Sequence, residues 1–129
     1  MPLTDREQAL LDRVENRLAI GGEWVAAEDG RTLAVQDPAT GETIKEIADA
    51  SVADARRALD AACKAQPAWG KTSPRERSNI LRRAWELLNE RADDFALLMT
   101  LEMGKPLAEA RGEVTYGGEF LRWFSEEAV

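Results

Sequence analysis

The chain has 129 residues, 44% of them hydrophobic and 32% charged, with a formal charge of −7 and a pI near 4.7. That length suits about one domain with a modest core, and the acidic balance argues against non-specific binding to nucleic acid or an anionic membrane, which need a basic surface. With one cysteine, Cys63, and no histidine, an intramolecular disulfide, a Ser-His-Asp triad, a Cys-His dyad and a histidine-bound zinc are all excluded.

Thr4-Asp5-Arg6-Glu7 has the form of a capping box, and Leu10, Leu11, Val14 and Leu18 follow at helical spacing, which predicts an amphipathic helix from about residue 5 to 17. This stretch has no long apolar run and carries Asp5, Glu7, Asp12 and Glu15. It resembles neither a signal peptide, a membrane span nor a transit peptide, so the expected location is cytoplasmic. From residue 18 to 49 the pattern changes. Gly21-Gly22 between two short apolar runs is a hairpin signal, because glycine reaches positive φ cheaply. "EDGR" at 28–31 and "DPATGE" at 37–42 are two further turns, so three or four short strands are expected here.

Residues 50–129 read as helical. Ser51 with Asp54 caps the first helix, whose apolar face is Val52, Ala55, Leu59, Ala62 and Cys63, and "QPAWGKT" is read as its end. Ser73-Pro74-Arg75-Glu76 starts the next, with Ile80, Leu81, Ala84, Leu87 and Leu88 as its apolar face. A third, at about 92–103, uses Phe95, Leu98 and Met99. Gly104 then suits a left-handed C-cap, and Pro106 opens a last helix over about 106–128. That helix carries two apolar stripes. Leu107, Ala110, Val114, Gly117, Leu121, Phe124 and Ala128 read as a core face; Gly112, Tyr116, Phe120 and Trp123 form a second. Glycines at 112, 117 and 118 cost about 1 kcal/mol each against alanine, which points to a close approach.

These residues contain no catalytic constellation of their own. Cys63 has no base or helix N-terminus beside it in the sequence and reads as a small core hydrophobe. No phosphate-cradling glycine motif is present. The acidic residues suit solvated helix faces, and the four tryptophans suit packing anchors rather than a base-stacking platform.

Five segments in order carry a resemblance: "IGGEWV", "DPATGETI", "SVADARRALDAACKAQPAW", "SPRERSNILRRAWELL" and "TLEMGKPLAEARGEVTYGGEFLRWFSEEA". Together, over residues 18–129, they resemble the N-terminal region of the NAD(P)-dependent aldehyde dehydrogenases, most of all those acting on succinate semialdehyde. Met103 stands where many members of that group have Gln. The resemblance implies an α/β fold, in which a helical segment at 1–17, short strands at 18–49 and a helical part at 50–129 precede a Rossmann-type cofactor sheet. It implies oxidation of a small aldehyde through a cysteine thiohemiacetal and thioester, NAD or NADP as cofactor, and a homo-oligomer, with neither nucleic acid nor membrane as partner. The family's glycine-rich cofactor turn, catalytic glutamate and nucleophile segment match nothing in these 129 residues, and Cys63 matches no catalytic position. No catalytic or cofactor-binding residue is therefore expected in this chain, and the chain alone is expected to be inactive.

The resemblance further implies that Gly112, Tyr116 and Phe120 line a substrate tunnel; packing against the rest of a larger protein is the competing reading of the same stripe. It also implies a monovalent cation held by the carbonyls of Val35 and Gln36 and by Glu102, against which Glu102 reads equally as a plain helix-end charge. Rival functions are a dehydrogenase for another small aldehyde and a non-catalytic acidic interaction module.

Overall fold

The structure, a computed structural model, describes residues 3–129. The chain divides into two units, one running to Lys71 and one from Thr72 to Val129.

In the first unit, helix α1 spans Asp5–Arg13. Its capping box forms as expected: the Glu7 N–H donates to Thr4 Oγ1 at 3.3 Å, and the Thr4 N–H donates to Glu7 Oε2 at 2.7 Å. Leu10 and Leu11 are its buried residues. The helix stops at Arg13 and does not reach residue 17. Val14 is already extended, and the Glu15 carboxylate draws in the amides of Asn16 and Arg17, offering the backbone an alternative to the next helical turn. The Arg17 guanidinium first, and these two amides after it, hold the Glu15 carboxyl down at about 2. Lys45 Nζ donates to the Leu11 carbonyl, which also accepts the Val14 N–H that closes the helix.

Strands β1 (Leu18–Ile20) and β2 (Glu23–Val25) form an antiparallel hairpin closed at Ile20 and Glu23. Gly21 and Gly22 have φ of 63° and 89°, the two positive values that a twist-matched two-residue turn demands. Strands β3 (Thr32–Gln36) and β4 (Thr43–Ala48) form a second antiparallel hairpin. Asp37 organises its turn by accepting the Ala39 N–H at 2.8 Å and the Thr40 hydroxyl at 3.2 Å. Val35 faces Lys45 while Gln36 faces Thr43, so Ile44 is the extra residue of a β-bulge.

Helix α2 spans Val52–Lys71. The Asp54 N–H donates to Ser51 Oγ at 3.1 Å and the Ser51 N–H donates to Asp54 Oδ2 at 2.9 Å, a reciprocal cap of the kind the sequence indicates. The helix ends at Lys71, inside the segment read as its end, and continues through Pro67. Proline removes one bond, to the Cys63 carbonyl, and the turns on either side carry the helix across. One expectation for α2 needs correction: the face turned inward is Ser51, Asp54, Ala58 and Ala61, whereas Val52, Leu59 and Cys63 are exposed. Asp54 fixes this rotation. Its carboxylate is wholly buried and accepts the Glu28 N–H from the loop after β2. The alanines one and two turns on then lie under the first hairpin, where a β-carbon at Gly21 would be 3.8 Å from Ala61 Cβ.

The second unit holds three helices: α3 (Pro74–Glu90), α4 (Ala92–Met103) and α5 (Leu107–Glu127). Ser73 caps α3, accepting the Glu76 N–H at 3.2 Å, with Pro74 at the first helical position. Gly104 ends α4 in the left-handed region at φ 73°, its N–H donating to the Thr100 carbonyl. Pro106, at φ −54° and ψ 136°, is the N-cap of α5, one residue earlier in its role than expected.

The contact between α4 and α5 is centred on small side chains. Ala96 and Ala110 are fully buried and Val114 nearly so, with Leu88, Ala92, Met99 and Leu107 packed around them. Ile80 and Phe95, expected inside, are exposed; in α4 it is Ala96, Leu97 and Leu101 that turn in. On α5 the inward residues are Ala110, Val114, Gly118 and Ser125, so Gly117 and Phe124 are corrected from core to surface. The cause is α3. A β-carbon at Gly118 would stand 3.1 Å from Leu88 Cδ2 and 3.6 Å from Trp85 Cδ1, whereas one at Gly112 or Gly117 would point into open space. Over the Trp85 ring sit two guanidiniums, Arg82 at 4.6 Å and Arg122 of α5 at 5.9 Å, each attracted by the π face.

Candidate functional site

Packing α5 by its small residues leaves its large ones on the other side. Tyr116, Phe120 and Trp123 follow Gly112 at helical intervals and share a face. Tyr116 and Phe120 meet edge to face, with ring centroids 5.2 Å apart and planes at 89°. That geometry sets the positive edge of one ring against the negative face of the other. With Trp123, Phe124 and Glu119 they line an open groove of about 400 Å³. Tyr116, Trp123, Phe124 and Phe120 are 69%, 62%, 55% and 50% exposed, which makes this an apolar wall with no partner inside the second unit.

The groove can hold an apolar chain and can do little else. Glu119 is its one charged lining residue, and Arg122 answers that charge from 3.7 Å. No nucleophile and base converge on it. Of the three expected wall residues, Tyr116 and Phe120 are brought together, and Gly112 lies one turn before Tyr116 with open space beside it. Trp123, grouped with this stripe but not expected on the wall, belongs to the groove. So does Phe124, misassigned to the core. Its signal was its place four residues after Phe120 and eight after Tyr116.

The other candidate positions do not line this groove. Val35 and Gln36 lie on β3 at the bulge, and Glu102 is exposed in the last turn of α4. Among the described residues, no three of the His, Cys, Asp and Glu side chains gather as a metal site. Cys63 is exposed on α2, not the core hydrophobe expected of it. Its helix turns the opposite side to the first hairpin.

Among the described residues Asp54 is the one wholly buried carboxylate, and sequence reasoning saw only its cap. It accepts the Ser51 and Glu28 amides, the Ser51 hydroxyl and the Arg57 guanidinium. Its pKa is held well below the ordinary carboxylate range, chiefly by the Ser51 N–H and then by the Glu28 N–H and Arg57, against the cost of burial. So complete a set of donors holds structure in place and leaves no lone pair aimed at a substrate. Among the described residues, no helix is long and apolar enough to cross a membrane.

Residues 24–129 match the model of the aldehyde dehydrogenase family. A glutarate-semialdehyde dehydrogenase of Pseudomonas aeruginosa is 49% identical over 123 residues, which are 95% of this chain and 24% of that protein. A succinate-semialdehyde dehydrogenase of Paenarthrobacter nicotinovorans is 68% identical over 83 residues, 64% of this chain and 18% of that protein. The crystal structure of a succinate-semialdehyde dehydrogenase from Burkholderia pseudomallei superposes with a TM-score of 0.84 at 44% identity, covering 92% of this chain and 24% of that one. The chain thus spans about a quarter, or less, of the length of the relatives it matches.

Proposed function

Because the chain belongs to the aldehyde dehydrogenase family, we propose that it is the N-terminal part of an NAD(P)-dependent enzyme that oxidises succinate semialdehyde to succinate. The observation that carries the substrate is the 68% identity, over 83 residues, to a protein named for that activity. In this reading Gly112, Tyr116 and Phe120 form one wall of the substrate tunnel, extended by Trp123 and Phe124. Their rings would exclude water from the methylene carbons of the substrate, and the open space at Gly112 would leave room for them.

The sequence carries no phosphate-cradling glycine motif, and the groove on α5 is apolar with a single acidic group on it. Nicotinamide binding, the nucleophilic cysteine and the water-activating glutamate are therefore assigned to sequence outside these residues, and this chain contributes shape. The same reading makes the enzyme a cytoplasmic homo-oligomer with a small aldehyde as its partner. Val35, Gln36 and Glu102 would serve it only as a structural cation site, and the exposure of Glu102 favours a plain helix-end charge.

The second reading is a dehydrogenase for glutarate semialdehyde, one methylene longer, favoured by the 49% identity over 95% of the chain. The test is kcat/KM of the full-length protein for succinate semialdehyde, glutarate semialdehyde and an uncharged aldehyde, with NAD and with NADP. A preference for the succinate compound supports the first reading, and a preference for the glutarate compound supports the second. A preference for the uncharged aldehyde overturns both, and absence of all turnover would leave the acidic interaction module.

A further inference from the structure

We draw no further inference here: the strongest candidate, the exposed aromatic groove of Tyr116, Phe120, Trp123 and Phe124 along α5, belongs to the site already described, and nothing in the structure shows what covers it.

Discussion

Gly118 on α5 and Leu88 on α3 stand so close that a β-carbon on the glycine would come within 3.1 Å of Leu88 Cδ2. The two neighbouring glycines of the helix have open space instead. The three positions should therefore respond differently to the same change. Gly112→Ala and Gly117→Ala should each stabilise the 129-residue chain by up to about 1 kcal/mol, the ordinary helix gain. Gly118→Ala should be close to neutral, because Leu88 must give way by a few tenths of an ångström. Gly118→Leu should cost about 1–3 kcal/mol by overpacking. Urea unfolding followed by circular dichroism reads all four, and an equal gain for alanine at the three sites would mean that α3 is not seated against Gly118.

Asp54 should make the chain acid-sensitive. Its folded pKa lies below the unfolded value of about 3.9, so its stabilisation is complete above that pH and is lost as pH falls toward the folded value. Asp54→Ala removes the acceptor shared by the Glu28 and Ser51 amides and should lower the unfolding midpoint at neutral pH. Asp54→Asn, which keeps one oxygen, should lower it less. The gap between wild type and Asp54→Asn should narrow below about pH 4. A gap of constant size from pH 7 to pH 3 would contradict the assignment.

The aromatic face of α5 should bind an apolar fluorescent dye, since four large rings lie half or more exposed along one helix. Replacing Tyr116 and Trp123 together with serine should reduce the signal and any concentration-dependent self-association. Helix content should change little, because exposed side chains carry little of the fold's stability, usually within about 0.5 kcal/mol. Dye binding unchanged by the double substitution would place the sticky surface elsewhere.

In the full-length enzyme, Gly112→Leu and Tyr116→Ala should act in opposite senses on chain length. The leucine would occupy open space and penalise longer aldehydes. The alanine would widen the wall and relax the preference. One methylene of pocket fit is worth about 1–3 kcal/mol, so the ratio of kcat/KM between four- and five-carbon semialdehydes should move by about 10-fold or more. Cofactor affinity should hold near the parent value. Folded variants that keep the parent ratio would reduce the stripe to packing.

The purified 129-residue chain should produce no NAD(P)H from succinate semialdehyde. Its thiol should nonetheless react readily with a maleimide without denaturant, because Cys63 is exposed. Turnover by this chain that disappeared in Cys63→Ala would falsify the assignment of catalysis to other sequence.

Legibility from sequence divides along a physical line. Gly104, Ser73, Thr4 and the Gly21-Gly22 pair settle their own backbone or bond to an amide within three residues, and each does what its chemistry dictates. The rotation of a helix is set by what lies across from it, which no local pattern contains. On α2 a polar residue, Asp54, chose the inward face over Val52 and Leu59. On α5 the helices closed on Ala110 and Gly118, where they could come nearest, and the stripe of large rings was left outside. The aromatic wall could be read as a stripe but not in full, since Phe124 fits both periodicities.

The choice of alanine and glycine for the seam of the second unit also bears on disorder. Ala96, Ala110 and Gly118 have no side-chain rotamers to lose, so at these three positions ordering costs backbone freedom alone. The side chains with freedom left to spend are the rings of α5. Each ring has only two torsions to fix and a large area to cover. The outer side of α5 thus exposes large area on few torsions, while its inner side closes where the side chains are smallest.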